Sequence, residues 1–284
     1  MVNRRGPLLI VDGDSFAHRS YHALPKSIRR ADGGPAGLLT GIGNVLLRLW
    51  EEESPRAMLV AWDTLTVPTY RHEALESYQS GREFERDLLE QLDLAPLLCA
   101  AMGFAVAKAD GYEADDFLAA AVAQEEALGG RALVASGDRD TFQLASEQTT
   151  ILQPQRGGGA FVRIGPAEVR ERYGVEPKQV PDFIALRGDP SDRIPGARGV
   201  GPKTAADLLG RYGSLEQALA EGRFEREAEA LRLYRHVATM DAEAPLPALD
   251  DQVPTWGRAA ELTAGWGLGR LTERLRALEA GSSS

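Results

Sequence analysis

Three apolar runs in this chain each stop at an acid. They are Leu8-Leu9-Ile10-Val11 before Asp12, Met58-Leu59-Val60-Ala61-Trp62 before Asp63, and Leu133-Val134-Ala135-Ser136-Gly137 before Asp138. Runs that are apolar at nearly every position, rather than at every second one, read as strands buried on both faces of a parallel sheet. Further strands are expected near residues 104–107 and 149–153, and helices near 36–52, 83–102, 114–128 and 139–145. This alternation predicts an α/β fold, a central parallel sheet flanked by helices, up to about residue 165, with mostly helix beyond. Open α/β sheets place their sites at the carboxyl ends of the strands. Acids gathered there repel one another unless cations sit between them.

Six more carboxylates fall into short clusters: Glu113, Asp115 and Asp116; Asp140 beside Asp138; and Asp189 with Asp192. Glu113 and Asp116 are three residues apart at the start of a predicted helix and share its face. Gly137-Asp138-Arg139-Asp140 reads as a loop that turns two carboxylates toward one ion. An all-oxygen donor set suits Mg²⁺ or Mn²⁺. Asp14 reads as a turn residue rather than a tenth acid of the metal shell.

Gly199-Val200-Gly201-Pro202-Lys203-Thr204 opens a helix. It is either an ordinary helix-to-helix turn or a place where backbone N–H groups meet a phosphate, with Lys203 adding charge. Arg156-Gly157-Gly158-Gly159 reads as a hairpin turn between 151–155 and 161–164, and Gly281–Ser284 as an unpatterned, disordered tail. The four histidines show no triad spacing and read as structural, as does the lone Cys99 in an apolar helix.

The net charge of −10, from 32 Lys and Arg against 42 Asp and Glu, argues against a nucleic-acid partner when taken whole. Its distribution does not. Residues 1–50 carry seven basic residues against three acids, and residues 187–211 carry five against three. No apolar stretch reaches the roughly 18 residues a membrane span needs. The N-terminal run is too short for a signal-peptide core, so a cytoplasmic protein is expected.

The chain resembles the bacterial 5′→3′ exonuclease and flap endonuclease family, which includes the N-terminal nuclease domain of DNA polymerase I. The motifs that carry the resemblance are Val11-Asp12-Gly13, Arg19 with Tyr21-His22-Ala23, Trp62-Asp63, Tyr70-Arg71-His72-Glu73, Gly111-Tyr112-Glu113-Ala114-Asp115-Asp116, Ser136-Gly137-Asp138-Arg139-Asp140 with Gln143-Leu144, Leu186, Gly188-Asp189-Pro190-Ser191-Asp192 through Lys203-Thr204-Ala205, and Ala238-Thr239-Met240. They stand in the family's order over roughly residues 8–250.

The resemblance implies a PIN-like core over 1–165, with a helical gateway at about 68–100. It also implies a helical DNA-binding region over 166–280 with a helix–hairpin–helix element at about 186–212. Asp12, Asp63, Glu113, Asp115 and Asp116 would hold one divalent ion, and Asp138, Asp140, Asp189 and Asp192 a second, with room for a third ion and a K⁺ at the hairpin. Arg71 and Arg82 would neutralise charge at the reacting phosphate. Arg19, Tyr78, Arg193, Arg198, Gly199, Val200, Gly201, Lys203 and Thr204 would contact DNA, with Tyr78 as a stacking platform. The expected substrates are duplex DNA with a 5′ flap, nick or 5′ end, and an RNA primer in a hybrid. The protein would be a stand-alone monomer, with polymerase and ligase as pathway partners. A PIN-type ribonuclease and a non-catalytic junction-binding protein are the rival readings. Two departures from the family pattern stand out. Gln79 replaces a lysine after the gateway tyrosine, and Arg193 replaces the asparagine of Ser-Asp-Asn.

Overall fold

The computed structural model describes residues 6–81, 83–155 and 160–282. Six strands form one sheet: β1 (Leu8–Asp12), β2 (Ala57–Ala61), β3 (Ala105–Ala107), β4 (Ala132–Ala135), β5 (Thr149–Pro154) and β6 (Phe161–Ile164), in the order β3-β2-β1-β4-β5-β6. The first five run parallel. β6 pairs antiparallel with β5, Ile151 opposite Ile164. The predicted hairpin is therefore present; its glycine turn, residues 156–159, lies outside the described residues.

Helices α1 (Gly13–Ala23), α2 (Gly37–Glu53), α3 (Tyr70–Ala74), α4 (Arg86–Ala101) and α5 (Ala114–Ala127) connect the strands. Beyond β6 the chain is helical: α6 (Pro166–Tyr173), α7 (Val180–Arg187), α8 (Pro202–Tyr212), α9 (Leu215–Ala220), α10 (Ala228–Ala238), α11 (Trp256–Gly265) and α12 (Gly269–Ser282). No described helix is long and apolar enough to cross a membrane.

β1 is the central strand and shows why its sequence does not alternate. Leu8 and Ile10 enter a core with Phe117 and Phe183, while Leu9 and Val11 enter a second core, on the other face, with Leu39, Leu98 and Trp256. All five β1 residues are buried.

Three expectations need correction. No helix was expected over 13–23, where α1 lies, because β1 passes into it without a loop. Asp12 ends the strand and caps the helix, its Oδ1 accepting from Ser15 N at 3.0 Å. The helix expected over 139–145 is a short 3-10 segment at Asp140–Leu144. The tail expected to be disordered from Gly281 continues α12 to Ser282; residues 283 and 284 lie outside the described residues.

The chain after α10 returns to the sheet. Arg56, 5% exposed at the start of β2, pairs with the buried Glu125 of α5 and donates to Leu249 O at 2.7 Å. Gln252 Oε1 accepts from Met58 N at 2.8 Å, and Gln252 N donates to Arg56 O at 2.8 Å. Trp256 then packs edge-on against Trp50 and Phe104, which anchors α11 and α12. Removing one member of a buried ion pair strands the other. Arg56→Ala is therefore expected to cost about 3–5 kcal/mol in urea unfolding. Arg29→Ala, at the exposed Arg29–Asp87 pair, is expected to cost no more than about 1 kcal/mol.

Candidate metal centre and nucleic-acid interface

The parallel register fixes the site. Asp12 lies beside Ala61, and Val11 beside Ala135, so the chain leaves β1, β2 and β4 at the same edge of the sheet. Asp12, Asp63 and Asp138 follow those three strand ends. Asp63 N donates to Asp14 Oδ2 at 2.7 Å, and Asp63 Oδ1 accepts from Ala114 N, at the start of α5, at 2.7 Å. The buried Ser136 hydroxyl donates to Asp12 Oδ2 at 2.6 Å and accepts from Asp138 N at 3.0 Å. Asp115 projects from the first turn of α5.

The charges of these groups act on one another. The Asp12 carboxyl is pushed up to about 7, first by burial and then by the charge of Asp138, with Asp63 adding less. Asp14 is raised by burial, Asp63 and Asp12. Asp115 is raised by desolvation and by Asp12, Asp138 and Asp140. Asp140 is pushed up to about 8 by burial, then by Asp192, Asp189 and Asp138. Eight carboxylates, from β1 and α1 through to the loop after α7, thus form one electrostatic group.

Asp14 is part of this group and not the turn residue the sequence indicated. It is buried in the first turn of α1 and bonded to Asp63. The signal was its spacing two residues beyond a strand-end acid, which is legible only once α1 is known.

The donor set fits hard divalent cations. Lys108 offsets Asp14, Arg187 offsets Asp140, and Arg71 offsets Asp115. Dications would add further positive charge to this group. Among the described residues, no three His, Cys, Asp or Glu side chains are drawn close enough to hold an ion as they stand. Two carboxylates about 4 Å apart repel by about 4 kcal/mol at an effective dielectric of 20.

Asp116 does not face the group. It is fully buried, and Arg71 clamps both its oxygens, Nη1 to Oδ2 at 2.8 Å and Nη2 to Oδ1 at 2.6 Å. Glu113 N and Asp241 N complete its bonding. Asp116, expected among the metal ligands, thus has both oxygens taken by Arg71, and Arg71, expected at the reacting phosphate, is 3% exposed and donates its Nε to Val237 O at 3.0 Å. Together the two residues brace the start of α5. Glu113 lies between brace and site; its Oε1 accepts from Thr69 Oγ1 and its Oε2 from Tyr78 Oη, both at 2.9 Å. Tyr78 is 4% exposed, so it supports Glu113 and is no surface for stacking bases. His72 shares a hydrogen bond with Thr69 and packs on Tyr78, in line with a structural role. Arg82 lies outside the described residues.

The chain shares this build with proteins of known kind. A family model for the 5′-3′ exonuclease N-terminal resolvase-like domain matches residues 7–174, and one for the 5′-3′ exonuclease C-terminal SAM fold matches residues 175–258. The chain belongs to the 5′-3′ exonuclease family. It is 40% identical over 210 residues to DNA polymerase I of Mycobacterium tuberculosis, an alignment covering 73% of this chain and 23% of that protein. It is 35% identical over 253 residues to the thermostable DNA polymerase I of Thermus thermophilus, covering 85% of this chain and 30% of that protein. The matched region is thus about a quarter of the length of these curated relatives. Zinc-bound T5 5′-exonuclease superposes with a TM-score of 0.70 at 19% identity, covering 95% of this chain and 98% of that one. Flap endonuclease-1 from Methanococcus jannaschii superposes at 0.63 and 14% identity, covering 96% and 91%. These superpositions establish a shared fold.

In this 5′-3′ exonuclease family chain, the second pair of acids sits in the loop between α7 and α8. Asp189 and Ile194 exchange backbone hydrogen bonds at 2.8 Å and close the loop. Asp189 is buried, held by Arg187 at 3.2 Å and by Ser191 N at 2.8 Å. Gln143, beside Asp140, donates to Ala238 O and accepts from Met240 N, both at 3.1 Å, which explains why the Gln143 and Ala238–Met240 motifs occur together. Arg198, Gly199, Gly201, Lys203 and Thr204 are exposed around the start of α8, with Val200 half-buried. Gly199 has a φ of 75°, in the left-handed region glycine adopts freely. Arg19 is exposed, and a Cβ built on Gly137, next to Asp138, would lie 3.3 Å from its Nη1. Arg19 thus adjoins the loop that carries Asp138.

The raised carboxyls tie stability to pH. In metal-free buffer the folded protein keeps protons that the unfolded chain, with Asp near 3.8, has already released. Folding takes up protons, so thermal stability is expected to fall as pH rises from about 4 through about 8. Added Mg²⁺ or Mn²⁺ is expected to flatten that fall; a melting temperature with the same pH dependence in both buffers refutes the link. Arg71→Met is expected to cost about 3–5 kcal/mol in urea unfolding, the penalty for stranding the buried Asp116. An Arg that serves only the reaction leaves stability unchanged.

Proposed function

We propose that this chain is a structure-specific 5′ nuclease that hydrolyses phosphodiesters in DNA bearing 5′ ends, nicks or flaps, in primer removal and repair. The observation that carries the reading is that eight carboxylates from separate parts of the chain act on one another electrostatically, in a chain that also exposes a basic hairpin. Family membership supports it, as does a superposable T5 flap endonuclease, at 18% identity and a TM-score of 0.68, whose structure is described as a complex with DNA and metal ions.

Asp12, Asp63 and Asp115, with Asp14 and Glu113 beside them, would hold one Mg²⁺ or Mn²⁺, and Asp138, Asp140, Asp189 and Asp192 a second. When bound, such cations supply Lewis acidity at the scissile phosphate and lower the pKa of the attacking water. The protein's own part is positional. Ser136 and Ser15 orient Asp12, the α5 N-terminus orients Asp63, and Arg187 and Ser191 orient Asp189. Arg71 and Asp116 brace α5 behind them.

Around α8, the backbone N–H groups near Gly199–Gly201, together with Arg198, Lys203 and Thr204, would grip the phosphates of a duplex, which sets position and not sequence. Arg19, next to Gly137, would contact the strand that passes to the acids. Residues 1–165 would thus carry the chemistry and residues 166–280 the duplex grip, in a monomer that works in the cytoplasm on the nucleoid.

Cleavage of a 5′-flapped DNA by the full chain, with Mg²⁺ or Mn²⁺, tests the proposal against a single-stranded RNA of equal length. The flap is expected to be cut far faster; preference for the RNA favours a PIN-type ribonuclease. Asp138→Asn is expected to abolish cleavage while flap binding stays within about threefold of wild type, because phosphate contacts and not this acid hold the duplex. Parallel loss of binding contradicts the assignment.

A further inference from the structure

We propose that Gln79 is a positioning residue that joins the two acid groups through the gateway segment. The inference rests on the metal-dependent reading above and deepens it. Gln79 Nε2 donates to Tyr78 Oη at 2.9 Å and to Asp192 Oδ1 at 3.2 Å. Tyr78 Oη in turn donates to Glu113 Oε2 at 2.9 Å. A side-chain amide carries two N–H donors, so one neutral group serves both acceptors. A continuous hydrogen-bonded chain therefore runs from Glu113, at the start of α5, to Asp192, in the loop after α7.

The backbone reinforces it. Gln79 N donates to Asp192 O at 3.2 Å, Ser77 Oγ to Arg193 O at 3.3 Å, and Arg193 Nη1 to Ser80 Oγ at 2.8 Å. With the Gln79–Asp192 side-chain bond, four bonds clasp residues 77–80 to residues 192 and 193. Gln79 and Arg193 both sit in the left-handed region, at φ 45° and 57°, and neither is glycine. Such conformations cost energy and persist where the surroundings over-determine them. Two of them facing each other across one clasp mark it as a built feature.

The chemistry assigns the role. A carboxylate held by a donor on one oxygen presents its remaining lone pairs in a fixed direction. A neutral amide does this without cancelling the charge that attracts a dication.

Calorimetric titration of Mn²⁺ into the full chain, free of DNA, tests the assignment. Wild type, Gln79→Met, Tyr78→Phe and the double variant are compared, with thermal melts to confirm folding. Gln79→Met is expected to weaken Mn²⁺ binding by about tenfold, the size of effect typical of a partner that orients a ligand. Tyr78→Phe is expected to do the same, and the double variant no more than either alone, because the chain acts as a unit. A wild-type isotherm for Gln79→Met, or losses that multiply in the double variant, overturns the proposal. If Gln79→Met does not fold, Arg193→Ala carries the test: a weaker site supports the clasp and an unchanged isotherm overturns it. Wild-type protein that binds no Mn²⁺ overturns the metal reading itself and this inference with it, whereas binding by wild type that Gln79→Met leaves untouched sinks the inference alone.

Discussion

Repulsion among carboxylates that the backbone forces into one place is the constraint around which this protein is built. Parallel pairing of β1, β2 and β4 leaves no choice: the chain emerges from all three at the same edge. The protein orients Asp12 and Asp63 with short donors from hydroxyls and helix starts, and Asp189 with Arg187. Asp116 differs in degree: a single guanidinium takes both its oxygens, and the residue is fully buried.

Much of the fold was legible because parallel strands announce themselves. A short apolar run without alternation, ended by a turn, fits a strand covered on both faces, and the register then follows from the fold class. Asp12, Asp63 and Asp138 could be placed together on that logic alone. Asp189 and Asp192 could not, since nothing in their spacing says that the loop after α7 returns to the sheet; the family resemblance supplied that. α1 stayed hidden because Asp12 does two jobs at once, ending a strand and capping a helix, so no turn residues separate them.

The side chains whose surroundings the sequence did not reveal share one cause. Arg71, Asp116 and Tyr78 are polar residues in motifs full of functional acids, and burial is not written in such motifs. Their partners, Val237, Asp241 and Glu113, lie 166, 125 and 35 residues away. The departures at Gln79 and Arg193 were visible in the sequence as isolated oddities. In space they belong to one contact, where each is in bonding reach of the other's segment.

The seat of Asp116 has a further consequence. Its oxygens take N–H groups from Glu113, in the sheet half, and from Asp241, just beyond α10, while Arg71 reaches across to Val237 O. The two halves of the chain are thus stitched together directly beneath the acids. A substitution at either end of this stitch, in α3 or just beyond α10, would thus be felt at the start of α5, next to the acids from which the proposed ion site is built.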